Sequence, residues 1–252
     1  MTPREEDFRL GAVSYLNTLP LIETLGSSIY KDVPANLIHV FNQGVLDAAL
    51  LPIYDIFQLP DPEVVQHIAI AARGDVYSVI LAYQGALEKV RQVSLDPSSH
   101  TSNQLVKVIL AEFYSLYPHY IEEKRADGTL VEGSAKVIIG DPALHFRQQA
   151  SCSILDLGGA WYHFTKLPFV FAMWCLNKKT VQREYLKKML LTAKEEGLRL
   201  RNVIAAREPN PALALYYLTK CIHYDVGPRE LEGITLFKSL LKKHALDGGA
   251  IV

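Results

Sequence analysis

Gly11-Ala12-Val13-Ser14-Tyr15-Leu16-Asn17-Thr18-Leu19-Pro20 decides how this chain is read. The apolar run over residues 8–13 predicts a buried strand. It stops abruptly at Ser14, Tyr15, Asn17 and Thr18, and Pro20 then opens a helical pattern. Strand, polar turn and helix N-terminus thus follow one another directly. In open α/β sheets ligands sit at the carboxyl ends of strands, where backbone N–H groups and the helix dipole favour anions. Two readings of this turn stand side by side. One is helix punctuation, with Asn17 or Thr18 as N-cap. The other is a ligand-binding strand end.

Outward from this stretch, the same grammar repeats. Short apolar runs bounded by turn residues predict strands at 8–13, 36–41, 48–51, 64–71, 77–83, 92–95, 135–139, 153–157 and 170–176. Helical patterns lie between many of them, which makes the class α/β. The last third is helical: one long pattern over 180–207, a start at Asn210-Pro211, and a helix from Pro228 to about His244. The segments 64–83, broken near Gly74-Asp75, and 169–176 are long enough to pass between two lobes. Trp161, Phe164, Phe169, Phe171 and Trp174 read as core aromatics, with Trp161 or Phe169 a candidate for a ligand-facing wall.

Three further turns follow predicted strands. Asp96-Pro97-Ser98-Ser99-His100-Thr101-Ser102 precedes a helix whose apolar face is Leu105, Val106, Ile109, Leu110 and Phe113. Its hydroxyls can hold a carboxylate, whereas a simple cap needs only one of them. Gly140-Asp141-Pro142 lets a backbone approach a ligand closely at Gly140, while Asp141 can cap a helix begun by Pro142. Leu51-Pro52 ends a strand without polar side chains of its own. Ser78 interrupts the apolar strand pattern 76–81 and by alternation shares a face with Val76 and Ile80; the readings are a serine that faces solvent or bonds to backbone, or one on an interior or cleft face.

Composition removes several classes. The chain has 252 residues, 26 Lys and Arg against 27 Asp and Glu, and 49% apolar residues. The basic residues are dispersed, so no nucleic-acid footprint is present. Cys152, Cys175 and Cys221 have no metal or disulfide spacing. No Gly-rich phosphate loop, metal-binding His pair or Gly-x-Ser-x-Gly elbow occurs. The start of the chain, residues 2–7, is charged and lacks an apolar signal core, and no apolar run has membrane-spanning length. A cytoplasmic chain acting on a small molecule is expected, with neither nucleic acid nor membrane as partner.

The motifs resemble, in order along most of the chain, those of the chorismate dehydratases of the futalosine route to menaquinone. Residues 12–21 are similar to that family's opening signature. Gly74-Asp75-Val76-Tyr77-Ser78-Val79 is similar to its strand carrying a functional serine, and residues 95–102 to its Leu-Asp…Ser-x-Thr-Ser turn. Residues 139–144 resemble its Gly-Asp-x-Ala-Leu motif, Asp156-Leu157-Gly158 through Trp174 its most recognisable block, and Ala193-Lys194-Glu195-Glu196-Gly197 its late helix. Three positions depart from it: His100 stands where Arg is common, Lys166 where Gly is common, and residues 51–55 lack the expected serine.

The resemblance implies a two-lobed, type II periplasmic-binding-protein-like fold with a ligand cleft between the lobes, built from 1–90 with 178–252 and from 91–177. It implies loss of water from chorismate to give 3-[(1-carboxyvinyl)oxy]benzoate, driven by aromatisation and needing no cofactor or metal. Asn17 and Ser78 would stand nearest the chemistry. Ser14, Tyr15, Thr18, Ser99, Thr101, Ser102, Gly140 and Asp141 would hold the dianionic substrate. The alternative is a non-catalytic small-carboxylate binding protein of the same fold.

Overall fold

The computed structural model describes residues 8–26, 29–122 and 130–247; the charged start at residues 2–7 lies outside them. The first half of the chain runs β1 (Leu10–Val13), α1 (Leu19–Ile22), β2 (Tyr30–Asp32), α2 (Pro34–Asn42), β3 (Ala48–Pro52), α3 (Ile53–Gln58), β4 (Glu63–Ala72), β5 (Val79–Tyr83), β6 (Gln92–Leu95), α4 (His100–Tyr114) and β7 (His119–Glu122). The second half runs β8 (Ser134–Ile139), α5 (Gly140–Gln149), β9 (Ser153–Asp156), α6 (Leu157–Thr165), β10 (Phe169–Leu176), α7 (Arg183–Arg199), α8 (Arg201–Ala205), α9 (Pro211–Tyr216) and α10 (Pro228–Lys243). No helix among the described residues is long and apolar enough to cross a membrane.

Residues 1–71 with 170–227 form one unit and residues 72–169 with 228–252 the other. This division differs from the sequence reading in three places: residues 72–90 and 228–252 move to the second unit, and residues 170–177, read with 91–177, move to the first because β10 pairs with β3 there. β5 leaves the first lobe because its backbone pairs with β8 and β9 in the second unit's sheet. α10 leaves it because Gly233 lies against the Pro168 carbonyl and Glu112 of α4 holds Lys243 and His244. The chain passes between the units three times: within β4 and at the first residue of β10, which lie in the two extended segments expected to cross, and again between Gly227 and Pro228, which the sequence reading did not anticipate.

Each unit carries a five-stranded sheet, ordered β2-β1-β3-β10-β4 in the first and β7-β6-β8-β5-β9 in the second. β1 is parallel to β2 and β3, and β10 runs antiparallel to β3. β6 is likewise parallel to β7 and β8, and β5 runs antiparallel to both β8 and β9. In both sheets the first three strands are parallel and the fourth is reversed, β10 in one and β5 in the other. β1 and β3 are buried along their whole length, as parallel strands covered on both faces should be.

Four sequence expectations are corrected. Residues 36–41 belong to α2, not a strand: Pro34 occupies its first turn, and the buried Leu37 and Phe41 recur at helical spacing. The pattern over 180–207 divides into α7 and α8 at Leu200, and α7 starts only at Arg183, after Gln182 in the left-handed region, which leaves Val181 exposed. Trp161 and Phe169 are not wall residues; both are fully buried against Phe237. Phe164, read as core, is exposed and stacks on Phe113.

Candidate active site

Asn17 lies in a 3-10 turn, Leu16–Thr18, that links β1 to α1. Thr18 stands at the N-cap position of α1 but its side chain makes no capping hydrogen bond there, and Asn17 caps neither helix start. Instead Asn17 Nδ2 donates to the Tyr217 hydroxyl at 2.9 Å, and Thr18 Oγ1 donates to Asn17 Oδ1 at 3.4 Å. Tyr217 is buried and opens a π-helical turn, Tyr217–Cys221, an irregularity frequent at functional sites. Asn17 itself is half-buried, Ser14 is exposed, Tyr15 is half-buried and Thr18 is fully buried. The amide is thus held in one orientation with one of its two N–H groups committed. From behind, α7 presses on this turn: a Cβ at Gly197 would stand 2.0 Å from the Pro20 carbonyl oxygen, so only glycine fits.

In the second unit, topology gathers the other candidates. β6, β8 and β9 point the same way, so their carboxyl ends share one sheet edge, and the reversed β5 begins at that edge. Ser78, immediately before β5, therefore adjoins Gly140, immediately after β8: Gly140 N donates to the Ser78 carbonyl at 2.8 Å. Ser78 is buried but is not inside the strand, as alternation had suggested. Tyr77 before it has φ 64°, which reverses the chain, and Ser78 N donates to the Val76 carbonyl at 2.7 Å. For a tyrosine this left-handed conformation costs about 1–2 kcal/mol.

Asp156 opposes that cost. Its carboxylate accepts from Val76 N at 2.9 Å, Tyr77 N at 2.8 Å and Gly159 N at 2.9 Å, and pairs with Arg147 Nη1 at 2.8 Å. The Arg147 guanidinium also lies over the Tyr77 ring, 4.2 Å from its centroid. Burial pushes the Asp156 carboxyl above the ordinary carboxylate range, while the Gly159, Val76 and Tyr77 N–H groups pull it down. Gly158 and Gly159 let α6 start against this turn, since a Cβ on Gly159 would meet the Asp75 carboxylate at 2.0 Å.

Ser99 caps α4, accepting from Ser102 N at 3.2 Å, and its hydroxyl donates to Ser102 Oγ at 3.0 Å. Ser99, Thr101 and Ser102 are all buried, whereas His100 is exposed. The capping reading of this turn therefore holds for Ser99, and the remaining buried hydroxyls exceed it. α5 starts at Gly140, with φ 64° there, and Ile139 stands at the cap position. Asp141 lies in the first turn and is not its N-cap, because the helix begins two residues before Pro142. Among the described residues no three His, Cys, Asp or Glu side chains cluster as metal ligands would.

The profile of a menaquinone-biosynthesis family matches residues 8–243. The chain belongs to this family. Among its relatives is the chorismate dehydratase of Thermus thermophilus, 30% identical over 92% of this chain and 94% of that protein. The chorismate dehydratase of Campylobacter jejuni is 28% identical over 92% of this chain and 96% of its own length. A Candida albicans protein with the generic periplasmic-binding-protein fold superposes with a TM-score of 0.62 at 13% identity, covering 97% of this chain and 91% of that one. The two mixed sheets described above are thus of the periplasmic-binding-protein-like kind.

Lys166, where the sequence departs from the motif it resembles, is placed by the backbone. It ends α6 with φ 58°, the left-handed cap position that glycine occupies without strain. Sequence reasoning missed Asp156, Arg147 and Tyr217 as parts of the site. Asp156 carried one local signal, an aspartate between a strand and Leu157-Gly158-Gly159, the pattern of an N-cap. Tyr217 carried none, because its partner lies 200 residues away in sequence.

Proposed function

We propose that this chain is a chorismate dehydratase. It removes water from chorismate to give 3-[(1-carboxyvinyl)oxy]benzoate in menaquinone biosynthesis, in the cytoplasm. The observation that supports this most is the near full-length relation to two chorismate dehydratases, with Asn17 and Ser78 fixed in strand-end turns. Balance is simple: the ring carbon bearing the enolpyruvyl ether loses a proton, the neighbouring carbon loses its hydroxyl, and the ring becomes aromatic. The chemistry asks for orientation of a dianion and stabilisation of a departing hydroxyl, both of which neutral donors supply.

Asn17 uses its uncommitted N–H to orient the reacting centre; a neutral amide is no base, and a substrate carboxylate takes the proton. Ser78 donates to the leaving hydroxyl. Ser99, Thr101 and Ser102 at the start of α4 hold a carboxylate, with Gly140 and Asp141 at the start of α5 beside it. Ser14, Tyr15 and Thr18 complete the contacts around Asn17.

Asn17→Asp and Asn17→Ala, each assayed for chorismate consumption across pH, test the assignment. Asp is nearly isosteric but replaces a donor with an acceptor and adds charge. If Asn17 donates to a dianion, both variants lose at least about tenfold in rate. Activity in Asp that rises with pH would make the position a proton acceptor. Wild-type rates in both variants would remove Asn17 from the chemistry.

A further inference from the structure

We infer that Asp156, working with Arg147, is a positioning residue that sets the direction of the Ser78 hydroxyl. This rests on the reading of Ser78 as a substrate-contacting group. Ser78 is fixed by its backbone: its N–H is turned to Val76 and its carbonyl is held by Gly140 N. Where its Oγ points therefore depends on the reversal at Tyr77, whose φ of 64° a bulky side chain rarely adopts without restraint.

The restraint is Asp156. One oxygen, Oδ1, takes Val76 N and the other, Oδ2, takes Tyr77 N, so both amides of the reversal are bound to a single carboxylate. Arg147 closes the arrangement from the other side, bound to Oδ2 at 2.8 Å and stacked over the Tyr77 ring. Both partners are sheltered, with side-chain exposures of 21% for Arg147 and 6% for Asp156. Capping α6 does not require this. A serine, threonine or asparagine would satisfy Gly159 N alone, whereas only a carboxylate accepts on both oxygens from Val76, Tyr77, Gly159 and Arg147 together. The register agrees: Asp156 pairs with Ile80, two residues beyond Ser78, so β9 delivers the carboxylate beside the start of β5.

Asp156→Asn preserves size and one acceptor but turns an NH2 group toward donors. A double-mutant cycle with Ser78→Ala tests the coupling. In the wild-type background Asp156→Asn should lower kcat by about tenfold or more with KM within about threefold, as misorientation of a reacting group does. In the Ser78→Ala background it should cost less than about threefold, because the hydroxyl it positions is gone. Equal losses in both backgrounds, or a wild-type rate in Asp156→Asn, would overturn the inference. If Asp156→Asn does not fold, Arg147→Gln enters the same cycle with the same expectations.

Amide hydrogen exchange separates this inference from the functional assignment. Exchange at Val76 and Tyr77 should accelerate at least about tenfold in Asp156→Asn or Arg147→Gln even if the chain leaves chorismate untouched. Unchanged protection there would refute the positioning role whatever the activity. Full activity in Ser78→Ala alone would overturn both the inference and the role given to Ser78.

Discussion

Gly197→Ala tests how the turn bearing Asn17 is supported. On an exposed helix this substitution is stabilising by about 1 kcal/mol, because alanine restricts the unfolded chain and favours helix. In α7 the new Cβ would lie 2.0 Å from the Pro20 oxygen and 2.8 Å from its carbonyl carbon. Both contacts are with backbone, so no side-chain rotation relieves them. The Pro20 carbonyl must retreat until the first contact exceeds 3.0 Å, and α1 moves with it. Overpacking of this kind costs about 1–3 kcal/mol, and a backbone clash belongs at the upper end. The helix-propensity gain leaves a net loss of about 1–2 kcal/mol, or roughly 2–8 °C in Tm at this chain length. Because Pro20 is three residues from Asn17, kcat/KM should also fall, by about tenfold to a hundredfold for a displacement near 1 Å. Urea denaturation and chorismate turnover read the two effects. Thr192→Ala, on the exposed face of the same helix, is the control: slightly stabilising, with turnover unchanged. A Gly197→Ala protein that is stabilised and fully active would refute the claim that α7 holds this turn.

Changing Ser99, Thr101 and Ser102 together to Ala should weaken chorismate binding, since each hydrogen bond to a carboxylate is worth about 1.5–3 kcal/mol, and should also cost about 1 kcal/mol of stability through the lost cap; calorimetric titration of the folded variant separates the two, and undiminished affinity removes this turn from the site. Lys166→Gly should stabilise the protein by about 1 kcal/mol by relieving the left-handed conformation; a lower Tm would contradict this. Hydrogen bonds from Lys243 and then His244 hold the Glu112 carboxyl below its ordinary value of 4.5. A depressed carboxyl contributes stability above its unfolded pKa and loses it as pH falls through the folded one. The stability gap between wild type and Glu112→Gln, measured by urea denaturation, should therefore be present at neutral pH and close below about pH 4.5; a gap independent of pH would be inconsistent with that linkage.

Local grammar carried much of the fold. β1, the turn at 14–18 and Pro20 were legible because a buried strand must be apolar and a helix start tolerates proline. Residues 36–41 misled because Ile38, Val40 and Phe41 favour strands individually, whereas the spacing of Leu37 and Phe41 after Pro34 decides for helix. Ser78 looked like a strand residue for a different reason. The carboxylate that diverts Val76 and Tyr77 from the ladder lies 80 and 79 residues further along, beyond the reach of any periodicity. The assignment of β5 to the second sheet depends on the same kind of long-range pairing. The candidate site was therefore visible as residue types in turns, while the groups that orient them, Tyr217 and the Asp156–Arg147 pair, emerge only from the folded chain.

The most direct test is incubation of the purified protein with chorismate, with the products resolved by mass and by proton NMR. The account predicts that chorismate disappears catalytically and that a product lighter by one water appears, with the aromatic ring signals of 3-[(1-carboxyvinyl)oxy]benzoate. Chorismate that binds but is recovered unchanged would contradict the assignment and make the chain a small-carboxylate binding protein.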